Sequence, residues 1–154
     1  MTRAVFPPDL VRVGVRAFQE TNLKSVDLSK NTKVTNIGKA AFFGCNELVE
    51  VKFPNSLEEI DNEAFQGSGL TEIDLSNTKV QIISESTFQF CESLSKVTLP
   101  ETILSIDSFA FANCKKLNEM NFPISLKSAS VGSFAFSDCP IKKKWKAHKK
   151  RNNI

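Results

Sequence analysis

The sequence predicts a solenoid, in which short parallel strands and turns repeat along one axis and function lies on the surface the stack presents. Three observations predict it. An aromatic recurs at Phe18, Phe42, Phe65, Phe88, Phe111 and Phe136, about every 23 residues. Around each aromatic the same apolar spacing returns, with two aliphatics before it and Leu-x-x-Val-x-Leu or a near variant after it. No stretch sustains an apolar face at helical spacing for the roughly ten residues a packed helix needs. One such unit cannot bury its apolar side alone, whereas stacked copies share a continuous core.

Each copy opens on two aliphatics three residues apart: Leu10/Val13, Val34/Ile37, Leu57/Ile60, Val80/Ile83 and Ile103/Ile106. The aromatic stands five residues after the second aliphatic. Ala17, Ala41, Ala64, Ala110 and Ala135 precede it, with Thr87 the exception. This segment has room for at most one turn of α- or 3₁₀-helix. The triplets Leu23-Val26-Leu28, Leu48-Val51-Phe53, Leu70-Ile73-Leu75, Leu94-Val97-Leu99 and Leu117-Met120-Phe122 come next. Their last two members alternate with polar residues, the period of a half-buried strand. Stacking them predicts a continuous parallel sheet along one face.

Corners then close each copy. Pro54, Pro100 and Pro123 end their strands because proline brings no N–H to a ladder. The longer loops Ser29–Thr32 and Ser76–Thr78 offset a shorter spacing elsewhere in the first and third copies. In a sixth, variant copy, Leu126 and Val131 are five residues apart instead of three, which predicts a small bulge around Ala129 and Ser130. Met1, Ala4, Phe6 and Pro7 match the spacing of Leu48, Val51, Phe53 and Pro54, so the chain is expected to open inside a partial copy. An uncovered first rung is an unpaired sheet edge open to end-to-end self-association.

At the other end Ile141 takes the first position of a triplet, but Lys144 and Lys146 take the next two and the repeat stops. The expected division is a repeat domain over residues 1–141 and a basic tail over 142–154. The body holds 13 basic and 17 acidic residues, a formal −4, and the tail carries seven basic residues and no acidic one. The overall +3 thus describes two unlike parts.

Cys45, Cys91, Cys114 and Cys139 each stand three residues after an aromatic. That regularity predicts small, buried, free thiols bonded locally in a turn, with Cys91 and Cys114 the neighbours that oxidation would join. Thirteen Phe and no Tyr point to aromatics spent in buried rungs rather than on a recognition surface. One cysteine per rung and a single histidine, His148 in the tail, give no clustered metal ligands and no oriented nucleophile–base pair. No catalytic residue, cofactor or metal is expected.

Strand geometry supplies the candidate surface. With Val51 and Phe53 pointing inward, Glu50 and Lys52 point outward, and equivalent residues stack one strand spacing apart. One column reads Ser25, Glu50, Glu72, Lys96, Glu119; its neighbour reads Asp27, Lys52, Asp74, Thr98, Asn121. These columns either solvate the sheet, alternating signs avoiding repulsion, or line the broad face on which a protein partner lies. Without aromatic anchors, weak or multivalent binding fits better than a tight pair. The tail residues Lys142, Lys143, Lys144, Trp145, Lys146, Lys149, Lys150 and Arg151 suit nucleic-acid phosphates or an anionic membrane, with Trp145 available to stack on a base. Alternatively they solubilise the end of the stack, with Trp145 folded back over the last rung.

The run Ile-x-x-x-Ala-Phe-x-x-Cys-x-x-Leu-x-x-Val-x-Leu-Pro, clearest over residues 83–100 and 106–123, resembles the BspA-like subclass of leucine-rich repeats. The resemblance covers residues 1–141 and implies a leucine-rich-repeat solenoid, a right-handed arc with its strand stack on the concave face. On the convex side it implies turns, 3₁₀ segments or short secondary strands, with little α-helix. It implies a non-enzymatic module for protein interaction or adhesion, commonly a surface or secreted protein of bacteria and protozoan parasites. A host or matrix protein would then be the partner. An intracellular scaffold with a basic localisation tail is the alternative, because no signal peptide is visible in these residues.

Overall fold

The computed structural model describes residues 2–154. Met1, which the repeat spacing places opposite Leu48, lies outside the described residues. Ten strands alternate along the chain: β1 (Arg12–Val13), β2 (Ser25–Asp27), β3 (Asn36–Ile37), β4 (Glu50–Lys52), β5 (Glu59–Ile60), β6 (Glu72–Asp74), β7 (Ile82–Ile83), β8 (Lys96–Thr98), β9 (Ser105–Ile106) and β10 (Glu119–Met120). A 12-residue helix, α1 (Ile141–Asn152), closes the stack. The triplets form the even-numbered strands and the aliphatic pairs form the odd-numbered ones, all paired in parallel. About five turns of solenoid result. Ahead of β2, Arg3 bridges to Ser25, and Ala4 and Phe6 pack against the core as a partial rung.

The core is a column of rings. Phe18, Phe42, Phe65, Phe88, Phe111 and Phe136 stack in sequence with centroids 5.1–5.9 Å apart and planes within 16° of parallel. All but Phe18 are buried. Stacked aromatic pairs at such spacing contribute about 0.5–1.5 kcal/mol each beyond the area they bury.

The turn side is held mainly by backbone hydrogen bonds. The residues two before and two after each aromatic, from Arg16 and Glu20 to Phe109 and Asn113, have φ between 53° and 70°. Non-glycine residues pay about 1–2 kcal/mol for this left-handed conformation. What it permits is an alternation of N–H directions. Ala17, Gln19 and Thr21 close turns within their own rung, while Arg16, Phe18 and Glu20 donate to Lys39, Ala41 and Phe43 of the next at 2.7–2.9 Å. On this side the rung-to-rung bonds run one way, each rung donating to the one after it.

The cysteines belong to a column of small polar atoms beneath the turn: Thr21, Cys45, Ser68, Cys91 and Cys114. Each of these three thiols donates to the carbonyl of the preceding aromatic, at 3.0 Å to Phe18, 3.2 Å to Phe65 and 3.1 Å to Phe88. Thr21 and Ser68 fill the place in the two copies that lack cysteine, and Ser68 Oγ lies 3.3 Å from Cys91 Sγ. All four thiols are free and buried. Burial pushes Cys91 and Cys139 up to about 11 and Cys114 well above 9. Since the unfolded chain ionises at the ordinary value near 9, the raised thiols stabilise the fold below pH 9, and that stability is withdrawn as pH climbs toward 11. Urea unfolding at pH 8 and pH 10.5 should differ by about 2 kcal/mol through Cys91 alone, at roughly 1.4 kcal/mol per pKa unit. Cys91→Ser should remove that part of the pH dependence.

Three details depart from the sequence expectations. First, the strands stack throughout but the ladder is not continuous: strand pairing is missing between β4 and β6 on one face and between β5 and β7 on the other. Single bonds from Thr71 N–H to Val49 O and from Lys79 N–H to Leu57 O remain there. Both breaks touch the third copy, where Phe65 to Leu70 is one residue shorter than Phe42 to Leu48. There Gly69 crosses so close to the second rung that a Cβ would stand 2.3 Å from the Asn46 carbonyl oxygen. Second, the two-residue insertion forms a 3₁₀ turn at Ser128–Ser130 rather than a bulge, after which Val131 bridges Ile106 in register. Third, the lysine run is helical. Lysine is a good helix former, and Ile141, Trp145 and His148 supply a three-residue apolar stripe too short to register as a period. Asn153, with φ 52°, ends the helix in a left-handed cap.

Candidate interaction surface

The two outward columns stand side by side on the even-strand face. Ser25 is in register with Glu50 and Asp27 with Lys52 across β2 and β4. Glu72 faces Lys96 and Asp74 faces Thr98 across β6 and β8, and Lys96 faces Glu119 on β10. Ser25 and Thr98 are half-buried, and Glu50, Lys52, Glu72, Asp74, Lys96, Glu119, Asp27 and Asn121 are exposed. Two shallow depressions of about 450 and 440 Å³ run along this face and share Glu50 and Lys52.

Not all ten residues are equally free. Asp27 accepts from the Ser29 hydroxyl and N–H at 2.6 and 3.0 Å. Asp74 accepts from the Ser76 N–H at 2.9 Å. Hydrogen bonds from Ser29 and Ser76 hold these carboxyls below the usual Asp range, with the neighbouring lysines Lys52 and Lys96 lowering them further. Both aspartates shape the corners that lack proline. Asn121 clasps the preceding rung, accepting from Leu99 N–H at 2.6 Å and donating to Leu99 O at 2.9 Å. The remaining charges, Glu50, Lys52, Glu72, Lys96 and Glu119, make no ion pair within 4 Å. The three ion pairs among the described residues, Lys39–Glu63, Lys79–Glu58 and Lys115–Glu92, lie off this face. Five carboxylates against two lysines leave the surface acidic.

A family model for the BspA type leucine-rich repeat region matches residues 11–143 in six copies. The chain belongs to that family. Among solved structures, this BspA-type chain is similar to a leucine-rich cell surface protein from Faecalibacterium prausnitzii A2-165, at 30% identity and a TM-score of 0.75 over 90% of the chain. It spans only 37% of that protein. A leucine-rich repeat protein of T. pallidum shares the fold at 24% identity and a TM-score of 0.67, covering 95% of this chain and 82% of its own. No curated protein matches.

The BspA-type solenoid places the tail residues elsewhere, at the end of the stack. Trp145 is 5% exposed, 5.2 Å from Phe122 and stacked on His148 at 5.7 Å, with Lys149 Nζ 5.9 Å from its centroid. Its faces are occupied, so it offers no platform for a base. Lys144 donates to Asn118 O at 2.6 Å, while Lys143, Lys150 and Arg151 are exposed. Lys142, Lys146 and Lys149 line one flank of α1.

The expectation that phenylalanines serve only buried rungs fails at three positions. Phe90, Phe109 and Phe134 are 45, 37 and 54% exposed, and Phe109 stacks on Phe134 at 5.3 Å. All three occupy the turn positions flanking the ring column, where other copies carry Arg16, Glu20 or Glu63, and Phe90 and Phe109 are left-handed there. Their offset of two from the repeat aromatic was the available signal.

Proposed function

We propose that this chain is a non-enzymatic protein-interaction module that engages a partner through its even-strand, concave face. What carries the proposal is one face of charges without ion-pair partners: Glu50 and Lys52 on β4, and Glu72, Lys96 and Glu119 in register across β6, β8 and β10. An acidic surface with two lysines selects a partner with basic groups and two placed carboxylates. With no aromatic anchor in these columns, affinity comes from many modest contacts. The cell-surface designation of the F. prausnitzii protein supports an adhesive role for the same face.

The test is binding of the chain to a panel of immobilised host matrix proteins, compared with the variant Lys52→Glu/Glu72→Lys/Lys96→Glu. A weakening of tenfold or more is expected, and undiminished binding overturns the concave-face proposal. Antibody staining of intact and permeabilised cells checks adhesion separately. Labelling only after permeabilisation would leave the interaction face standing but refute its adhesive use.

A further inference from the structure

The one-way bonding of the turn side has an end. In the earlier rungs the N–H groups at and two after the aromatic are directed at the next rung, as those of Phe18 and Glu20 are. So is the one two before it in the first four, Arg16, Ala40, Glu63 and Ser86, but not Phe109 in the fifth. In the last rung these positions are Phe134, Phe136 and Asp138, and no further rung follows. Among the described residues nothing accepts from the N–H of Phe134 or Phe136. Phe134 is exposed, but Phe136 is buried, and an unpaired backbone donor on a buried residue calls for an acceptor. The element over this end is α1, which offers lysines there instead of carbonyls.

Lys142, Lys146 and Lys149, at i, i+4 and i+7, line one wall of a cleft of about 190 Å³ whose opposite wall is Ser128, Val131, Gly132 and Ser133. Phe136 and Trp145 form its floor, and no carboxylate lines it. None of the three lysines is in an ion pair. The two departures from the repeat, the insertion and the lysine run, thus face each other across one space. Three lysines, two serines and the free N–H of Phe136 around a space this size match a compact, doubly charged, tetrahedral oxyanion. A carboxylate would leave much of that charge unanswered.

We propose that the cleft between α1 and residues 128–133 binds a phosphate group. The site is independent of the strand face, and its failure would leave that proposal untouched. Trp145, the only tryptophan in the chain, lines the cleft and reports occupancy by fluorescence. Titration of the full chain with inorganic phosphate and with O-phosphoserine at low salt should give a saturable change. Tighter binding of O-phosphoserine assigns the phosphate to a larger ligand, equal binding assigns the free ion, and no saturable response to either overturns the proposal. Lys142→Gln/Lys146→Gln/Lys149→Gln should raise half-saturation at least tenfold. Lys143→Gln/Lys150→Gln/Arg151→Gln, which removes equal charge from the outer surface, should change it less than threefold. Equal weakening would assign binding to the helix's general charge and overturn the site. In the unaltered chain, phosphate should shift the amide resonance of Phe136 but not that of Phe88, already bonded to Ala110. If the Phe136 amide stays in place, the proposal fails whatever the variants do.

Discussion

Phe65→Ala should cost about 3–5 kcal/mol of folding stability, the range for truncating a buried aromatic. Phe65 is fully buried at the middle of the column, stacked on Phe42 at 5.1 Å and Phe88 at 5.6 Å, with the edge of Phe53 at 5.9 Å. Its neighbours cannot close the gap, because each ring is fixed by a turn bonded to the rungs on either side. The loss therefore includes both ring–ring contacts and a cavity the backbone cannot collapse. Phe18→Ala, at the half-buried end, should cost less than half as much. Urea unfolding of both variants is the measurement, and equal losses would mean that the column does not act as a continuous core.

Trp145→Ala should be the second large loss, again about 3–5 kcal/mol. Trp145 covers Phe122 and Phe136 at 5.2 and 6.3 Å, and without it the last rung opens to water. Helix α1 has little else holding it: its outer surface is lysine, whose mutual repulsion opposes the helix, and only Ile141 is buried besides. Hydrogen exchange distinguishes two outcomes. Faster exchange at Asn113, whose N–H is bonded to Ser137 O, would show the cap to be part of the cooperative fold. Fraying confined to α1, with an unchanged global midpoint, would show that it is not.

The fold was legible because each rung repeats one physical requirement. Val13, Ile37, Ile60, Ile83 and Ile106 meet a strand on one face, Val26, Val51, Ile73 and Val97 meet one on the other, and the rings fill the space between. What escaped depended on single events rather than repetition. The helix rests on Trp145 meeting Phe122, a contact between segments that no local period encodes. The lost pairing around the third copy rests on one missing residue and one glycine. The outward columns were legible from alternation alone, but the anchoring of Asp27, Asp74 and Asn121 was not, since it depends on what Ser29, Ser76 and Leu99 present to them. The donor at Phe136 stayed hidden because backbone direction leaves no mark in side-chain sequence.

The two interruptions in strand pairing do not fall at the same level. On the even-strand face the joint lies between the second and third rungs, and on the odd-strand face between the third and fourth. The turn side runs unbroken past both, with Phe42 bonded to Ala64 and Phe65 to Thr87. The joints are offset as in masonry laid in running bond, so no straight cut passes through both. A load applied to one end is handed around each joint by the two seams that remain closed there. The third rung can therefore yield to bending without becoming the place where the stack parts.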